Sequence, residues 1–206
     1  MAADAVANGE DGLQPVVAEL AGKGVKAIAV CLLHSYKNPT HEQEVGHIIQ
    51  EKAPHVLISL SSDILPQIRE YERTSTTVIN AYVQPKISEH LEEMAQRIRS
   101  LGVRGELYMM HSSGGIISAR TAAQLPVKLI ESGPAAGALA AVFYGQLTGL
   151  ENILSFDLGG TSAKACLIDQ GQPNLTTEVD VARVERFKKG SGYPIRIPVI
   201  NLIEIG

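Results

Sequence analysis

The sequence is poor in cysteine, has no excess of basic residues and contains no long apolar run. Its two cysteines, Cys31 and Cys166, lie far apart in apolar, strand-like segments, a pattern that indicates buried free thiols rather than a disulfide framework. The formal net charge of −4 argues against a nucleic-acid-binding protein, because such proteins need a basic face. No segment approaches the roughly 18 apolar residues of a membrane span, so we expect no membrane association.

Two other patterns are missing as well, one for targeting and one for zinc. The segment MAADAVANGEDG at the start lacks the basic and apolar regions of a signal peptide, so we expect a cytoplasmic protein. His41 and His47 are too far apart to share a helix face as the zinc-protease pattern requires, and we predict that both lie on the surface. What is present is ordinary globular composition, with 45% hydrophobic and 19% charged residues among 206.

The first part of the chain alternates between helical and strand-like patterns. The predicted elements are a helix over 11–22, a strand over Val25–Leu33, a helix opened by Pro39 and closed near Pro54, and a strand over Val56–Leu60. This alternation predicts a βαβ unit with a parallel sheet. We place a domain boundary near residues 63–66, which gives a first domain over 1–64 and a second over 65–206.

The second part begins with helical patterns and ends with strands. Its predicted elements are a helix from about Ile68 that Pro85 stops, a second helix over Ile87–Leu101, a strand over Glu106–Met110, a loop over His111–Gly115, a helix from Ser132 to about Leu147, strands over Asn152–Phe156 and Ala163–Ile168, and an interrupted strand-like tail over Tyr193–Gly206. The strands on either side of residues 157–162 predict a β-hairpin whose turn carries polar groups.

This turn, Asp157–Ser162, carries the strongest chemical signal. Gly159 and Gly160 allow backbone N–H groups to approach a phosphate, and the hydroxyls of Thr161 and Ser162 add donors. Asp157 at the strand end can hold a hydrated Mg²⁺ through water, since that ion prefers carboxylate plus water. The alternative is a plain hairpin turn, which Gly-Gly also suits. It is not a Walker A motif, because no Gly-Lys-Ser/Thr follows.

Three other segments each have a functional and a structural interpretation. Ser132 and Gly133 open a helix whose N-terminus can bind an anion, or their small size serves close helix packing. Ser113, Gly114 and Gly115 follow a strand end, where α/β sheets bind ligands, or they form a connecting turn. The charged residues of 69–73 contact a substrate or partner, or they form a solvated helical turn with intrahelical pairs.

Several linked motifs resemble the hydantoinase A/oxoprolinase family of the actin-like ATPase superfamily, which includes hydantoin utilization protein A and subunits of acetone and acetophenone carboxylases. The motifs are Leu-Pro-Gln-Ile-Arg-Glu-Tyr-Glu-Arg-Thr-Ser-Thr-Thr over 65–77, Asn-Ala-Tyr over 80–82, Ser-Ser-Gly-Gly over 112–115, Ser-Gly-Pro-Ala-Ala-Gly over 132–137, the 157–162 loop, and Gly-Ser-Gly-Tyr-Pro over 190–194. Their order and spacing match as well. A sugar or acetate kinase is disfavoured, because the motifs at 65–77 and 132–137 match the hydantoinase group instead.

The resemblance implies a fold and a position within a longer subunit. The expected fold class is α/β, with a ribonuclease H-like (actin-like ATPase) half-domain preceded by a βαβ sheet fragment. Residues 1–64 correspond to the C-terminal part of the family's first α/β domain, and residues 65–206 to the first part of its second domain. At Ala163-Lys164 the chain departs from the many members that have Thr-Asp, so no metal role is assigned to position 164.

The resemblance also implies an activity. The expected function is ATP- and Mg²⁺-dependent hydrolysis of a cyclic amide through phosphorylation of its carbonyl oxygen, by the full-length subunit and not by this piece alone. Alternatives are a subunit of an ATP-dependent acetone- or acetophenone-type carboxylase, acting on a ketone, and a non-catalytic nucleotide-binding module. The family implies a B-type partner subunit, and a homo-oligomer is a further expectation. No residue of the sequence is identified as a general base.

Overall fold

The computed structural model describes residues 10–160, 162–182, 184–185 and 190–205. The chain forms two compact units, Met1–Glu92 and Glu93–Gly206. The elements of the first unit are α1 (Glu10–Gly22), β1 (Ala27–Val30), α2 (Thr40–Lys52), β2 (Leu57–Leu60), α3 (Ser61–Ile64) and most of α4 (Glu70–Ser100). The predicted division into domains at residues 64 and 65 stays a prediction.

The first unit is built on two parallel strands. Strand β1 pairs with β2 in the register Ala27↔Leu57 to Val30↔Leu60, which confirms the predicted βαβ unit. The crossover helix α2 places Val45 and Ile49 against the core on an i, i+4 stripe. His41 and His47 lie on the exposed side of the same helix, as predicted.

Helix α4 differs from its prediction in its length. The sequence predicted two helices divided at Pro85, but one helix runs through Pro85 from Glu70 to Ser100. Proline removes a single helical hydrogen bond, and buried residues on both sides, including Gln84 and Leu91, hold the helix in place. Tertiary contacts along the helix therefore outweigh the tendency of Pro85 to end it.

The buried face of α4 is polar. Arg73 is fully buried and donates hydrogen bonds to the carbonyls of Leu32 and Gln67, both at 2.9 Å. Its guanidinium also lies 5.6 Å from the centre of the Tyr36 ring. Arg69 and Glu72 form an exposed pair at 3.4 Å, as the solvated-turn interpretation of this charged segment predicted. For Arg73 neither interpretation was right, because its side chain is a structural link inside the first unit.

The second unit begins with a hairpin and two helices. Its elements are β3 (Tyr108–Met110), β4 (Ile116–Ser118), α5 (Ala119–Gln124), a 3₁₀ turn (Pro126–Leu129) and α6 (Ser132–Thr148). They are followed by β5 (Ile153–Leu158), β6 (Ala163–Asp169), β7 (Gln172–Pro173), β8 (Leu175–Thr176), β9 (Val179–Val181), β10 (Tyr193–Ile195), β11 (Val199–Ile200) and β12 (Ile203–Ile205). The tail from Tyr193 onwards therefore consists of short, interrupted strands, as predicted.

The main sheet of this unit has the strand order β12-β6-β5, with antiparallel pairing and β7 attached to β6. Helix α6 covers one face, where Ala135 and Ala138 pack against Cys166 and Ile168. Side chains alternate along a strand, so the other face carries Leu154, Phe156, Leu158, Leu167 and Ile203, all exposed. The predicted turn began at Asp157, but β5 continues through Leu158 because Asp157 and Leu158 pair with Lys164 and Ala163.

Within the part of the chain that the structure describes, no helix is both long enough and apolar enough to cross a membrane.

Candidate functional site

The hairpin of β5 and β6 places charged side chains in one row at its turn. The register pairs Asp157 with Lys164 on the neighbouring strand, and Lys164 with Glu204 on β12. By alternation, this row shares its side of the sheet with Cys166 and Ile168, which pack against α6. The charged row therefore lies on the helix-covered face, at the turn end of the hairpin.

Lys164 is the central cation of this row. Its Nζ donates a hydrogen bond to the Ser162 hydroxyl at 2.9 Å and pairs with Glu204 Oε1 at 3.1 Å. The hydrogen bond to Glu204 raises the pKa of the Lys164 ammonium, and the negative charges of Glu204, Glu131 and Asp157 act in the same direction, against a smaller effect of burial. Lys164 is therefore charged at neutral pH, and its positive charge lies at Ser162, the last residue of the loop.

The glycines of this loop have no conformational or packing reason to be glycine. Neither Gly159 nor Gly160 has a positive φ. A Cβ at Gly160 would meet no atom within 4 Å, and one at Gly159 would meet only the Ser162 carbonyl at 3.5 Å. The loop is closed by a hydrogen bond from the Gly159 N–H to that carbonyl, at 3.0 Å. The space above the loop is open, as the approach of a phosphate to the backbone requires. Thr161 lies outside the described residues.

The N-terminus of α6 lies near the same charges. Glu131, which precedes the helix, has a left-handed backbone with φ 61°, a conformation that costs free energy in a non-glycine residue. Its charge reaches Lys164, since it helps to raise the pKa of that ammonium. Gly133 has open space at its Cβ position. The predicted residues Ser132 and Gly133 thus lie in the same helix start that adjoins the charged row.

A cleft of about 410 Å³ lies beside Lys164, and its lining includes neither Asp157 nor the loop glycines Gly159 and Gly160. Lys164 lines it together with four carboxylates, Glu131, Glu178, Asp180 and Glu204, with Asn201 and with apolar residues of β9 and β11. The loop and its surroundings offer the Lys164 ammonium, backbone N–H groups and the exposed carboxylate of Asp157. Such a set can bind an anionic group and a hydrated cation side by side.

The loop after β3 has a different character. The Ser112 side chain is buried, and its hydroxyl lies within hydrogen-bond distance of the carbonyls of Lys128 and Ile130, at 2.6 and 2.5 Å. Gly114 has a φ of 89°, and a Cβ there would crowd Leu139 of α6. These contacts tie the loop to the 3₁₀ turn and to the side of α6.

Gly115 and Ser113 in this loop both contact one histidine. A Cβ at Gly115 would lie 2.3 Å from Nε2 of His111. The Ser113 hydroxyl lies 2.9 Å from Nδ1 of His111, and the Ser113 N–H donates to the same nitrogen at 3.3 Å. Burial lowers the pKa of His111, and the nearby charge of Lys128 lowers it further. The structural interpretation accounts for both glycines of this loop, and a nucleotide-binding role for Ser113, Gly114 and Gly115 stays a prediction.

A magnesium site here would rest on one carboxylate. Among the described residues, no group of three or more His, Cys, Asp or Glu side chains is placed to hold a metal ion. Mg²⁺ keeps several waters and takes one or two carboxylates together with phosphate oxygens, so the single exposed Asp157 fits such an ion bound through water.

Sequence reasoning missed Lys164 as part of the site. Its sequence position marked only a departure from a family pattern. The signal that could have found it is the hairpin itself: a symmetric turn between two strands places position 164 directly opposite position 157.

Two solved structures share this architecture. The nucleotide-free structure of acetone carboxylase, which is described as ATP-dependent, aligns with 96% of this chain at a TM-score of 0.79 and 27% identity. The ATP-dependent caprolactamase from Pseudomonas jessenii aligns with 96% of the chain at a TM-score of 0.80 and 28% identity. In each case the chain covers 27% of the solved chain. The fold therefore defines an α/β protein of the actin-like ATPase class, as predicted.

Family models place the chain within that class. The model described as hydantoinase/oxoprolinase matches residues 73–206, and the model described as the hydantoinase/oxoprolinase N-terminal region matches residues 6–53. The chain belongs to the hydantoinase/oxoprolinase family, and the resemblance seen in its motifs is confirmed.

Sequence relatives show how much of a subunit the chain represents. An uncharacterised protein of Methanocaldococcus jannaschii is 41% identical over 95% of the chain, and the chain covers 29% of that relative. The caprolactamase alpha subunit of Pseudomonas jessenii is 32% identical over 88% of the chain, with 25% of the relative covered. The acetone carboxylase beta subunit of Xanthobacter autotrophicus is 31% identical over 96% of the chain, and the chain covers 29% of that relative. The chain spans less than a third of the length of these relatives.

Proposed function

We propose that this chain is the phosphate-binding part of a subunit that uses ATP to hydrolyse a cyclic amide. The observation that carries the proposal is the row of Asp157, Lys164 and Glu204 beside a glycine loop with open space above it. The loop glycines have no structural role within the hairpin, and ligand approach gives them one. The similarity to an ATP-dependent caprolactamase supports the choice of a cyclic amide.

Each residue of the loop has a distinct role in this proposal. Asp157 holds Mg²⁺ through water, and Gly159, Gly160, Thr161 and Ser162 present backbone N–H groups and hydroxyls to the phosphates.

The surroundings of the loop complete the phosphate site. Lys164 neutralises phosphate charge, and Glu204 holds the ammonium in position before the nucleotide binds. The start of α6 at Ser132 and Gly133 adds N–H donors and the positive end of a helix dipole.

Amide hydrolysis at neutral pH needs activation of the carbonyl group. Bound ATP supplies a phosphoryl group for the amide oxygen, which turns a poor electrophile into one that water attacks. The contribution of this chain is to hold the phosphates and to stabilise charge with preorganised donors, which accounts for several kcal/mol in comparable sites. The chain supplies no proton transfer in this scheme.

Carboxylation is the second candidate function. The acetone carboxylase beta subunit of Xanthobacter autotrophicus is as similar to this chain as the caprolactamase subunit is. The same phosphate site would then serve activation of a ketone or bicarbonate. ATP turnover by the full-length subunit with a lactam, 5-oxoproline, hydantoin and acetone in turn, with and without bicarbonate, separates the two candidates.

Both candidates include a companion subunit and the same site. The caprolactamase and acetone carboxylase relatives are each named as one subunit of an enzyme, which supports a B-type companion for this chain. The family similarity alone would also allow a non-catalytic nucleotide-binding module, and that third possibility predicts ATP binding without turnover on any substrate.

The proposed site is tested by Asp157→Asn in the full-length subunit. The change keeps the size of the side chain and removes its charge, so ATP turnover should fall by about a hundredfold or more, or ~3 kcal/mol. Thermal unfolding should change little because Asp157 is exposed.

Asp169→Asn is the matched control, since it neutralises an exposed aspartate at the other end of β6. It should leave turnover unchanged. Near-parental turnover of the Asp157→Asn enzyme would replace the phosphate-site interpretation with the plain hairpin turn.

A further inference from the structure

The second unit carries a second groove, at the C-terminal end of α4. Its volume is about 700 Å³, and it shares no lining residue with the cleft beside Lys164. The apolar part of its lining comes from Ala95, Ile98, Val103, Leu107 and Ala119. Leu101, next to the groove in sequence, is 81% exposed. This side of the unit therefore presents apolar surface of the kind that partner binding covers.

Three arginines line the same groove: Arg99 on α4, Arg104 in the following loop and Arg120 in α5. All three side chains are exposed. The one acidic residue of the lining, Glu106, accepts a hydrogen bond from the Tyr108 hydroxyl at 3.0 Å. Its negative charge and hydrogen bond raise the pKa of that hydroxyl, so the proton stays on Tyr108. The groove is thus locally positive in a chain whose formal net charge is −4.

None of these three guanidinium groups has a hydrogen bond or ion pair with another residue in the described ranges 10–160, 162–182, 184–185 and 190–205. In the same part of the chain Arg69, Arg73 and Arg196 each have a partner. Guanidinium groups pair with carboxylates in planar, two-bond geometry, and arginine is enriched where protein surfaces meet. The groove therefore offers unused carboxylate-binding groups next to apolar surface.

We propose that this groove docks an acidic, amphipathic segment of the companion subunit, a proposal that rests on the companion included in the proposed function. The carboxylates of the segment pair with Arg99, Arg104 and Arg120, and its apolar side chains cover Ile98 and Val103. The three arginines favour an acidic segment, and the apolar lining favours an amphipathic one. A nucleic acid is disfavoured by the apolar lining and by the negative net charge of the chain.

The test uses the full-length subunit and a labelled helical peptide with leucine at i, i+3 and i+4 spacing and glutamate elsewhere. Its comparison peptides carry glutamine or lysine in place of glutamate. Fluorescence anisotropy measures binding to the parent and to the triple variant Arg99→Glu, Arg104→Glu and Arg120→Glu. The control triple variant, Lys37→Glu, Lys52→Glu and Arg97→Glu, makes the same change in net charge at exposed positions outside the groove.

The glutamate peptide should bind the parent, and the groove variant should weaken that binding by about tenfold or more, on the scale of charge-assisted contacts. The affinity of the control variant for this peptide should stay within about twofold of the parental value, since salt screens charges that lie far from the groove. The lysine peptide should bind the groove variant and not the parent, because the charges are then exchanged on both sides. Thermal unfolding of each variant should match the parent, since all six positions are exposed.

Three results would overturn the proposal. The first is equal binding of the glutamate and glutamine peptides to the parent, which would remove the role of charge. The second is an equal loss in both triple variants, which would reflect net charge alone. The third is displacement of the peptide by millimolar pyrophosphate as effectively as by unlabelled peptide, which would indicate a site for small anions. ATP turnover of the groove variant without the companion should equal that of the parent, so loss of docking and failure of the phosphate site are measured separately.

Discussion

The two glycine-rich turns of the second unit look alike in sequence and differ in structure. In the turn of 111–115, Gly114 has a positive φ and Gly115 makes room for the His111 ring. In the turn of 159–162, neither Gly159 nor Gly160 has a positive φ, and Gly160 has nothing within 4 Å of its Cβ position. Folding accounts for the first pair of glycines. The second pair has open space instead, which is consistent with the proposed approach of a phosphate, so the two turns differ in what their glycines do for the fold.

The largest effect on this comparison should come from Gly160→Val in the full-length subunit. A branched side chain would fill the open space and block the backbone from phosphate, so we expect ATP turnover to fall below about one hundredth of the parental rate. The melting temperature should change by only a few degrees, because Gly160 has neither a positive φ nor a close neighbour. Gly160→Ala should lie between parent and valine variant in turnover. A fully active valine variant would make the two turns equivalent.

Gly115→Ala should show the opposite pattern. The new Cβ would lie 2.3 Å from His111 Nε2, so the ring must move and its contact with Ser113 is disturbed. We expect the free energy of unfolding to fall by about 1–3 kcal/mol, as for other overpacked sites, with turnover reduced only in proportion to folded protein. Urea denaturation beside ATP turnover measures both. An unchanged stability with lost turnover would transfer the ligand-binding role to this turn.

Ser112→Ala should have a smaller effect on stability. The hydroxyl is buried next to the carbonyls of Lys128 and Ile130, and alanine would leave them without this donor. We expect a loss of about 1–2 kcal/mol in the free energy of unfolding and an unchanged KM for ATP. Ser113→Ala is the companion variant, since its partly exposed hydroxyl contacts the His111 ring, and its stability cost should be lower. A raised KM in Ser112→Ala would contradict the structural role.

The smallest effect concerns pH. Burial and then the charge of Lys128 lower the pKa of His111 below its ordinary value of 6.5, so the unfolded chain binds a proton at a higher pH than the folded one. The contribution of His111 to stability is therefore complete above pH 6.5 and is lost as the pH falls from there towards the folded pKa. Urea denaturation between pH 7.5 and 5.5 should show a decline that His111→Gln reduces. A pH dependence that is unchanged in this variant would exclude His111 as its source.

Much of the architecture followed from local patterns. The alternation of 11–60 gave a βαβ unit that the parallel register of β1 and β2 confirms. The hairpin around 157–162 and the helix from Ser132 also formed as predicted. Where a local signal competed with packing, as at Pro85, prediction failed because a single lost hydrogen bond is small beside the contacts along the buried side of a long helix.

The roles of the polar side chains were less predictable. The sequence places Arg73 in a charged surface turn, yet the side chain is fully buried and donates hydrogen bonds to the carbonyls of nearby Gln67 and distant Leu32. In the sequence, Lys164 is notable only because it departs from the family motif, yet it is the cation at the centre of the candidate site. The hydrogen bond from Arg73 to Leu32 and the ion pair of Lys164 with Glu204 both join residues far apart in the chain, so local spacing does not predict them.

The sequence by itself determined the family, the order of helices and strands, and the presence of a glycine loop between two apolar strands. These features depend on residues that are neighbours in the chain, through periodicity, turn chemistry and motif spacing. Among the described residues, only the tertiary structure decided which glycines have open space at their Cβ positions, which face of the hairpin carries Asp157 and Lys164, and which arginines line the groove at the end of α4. The physical reason is that steric fit, burial and charge pairing depend on how separate segments pack, and a one-residue change of register would move every side chain of a strand to the opposite face.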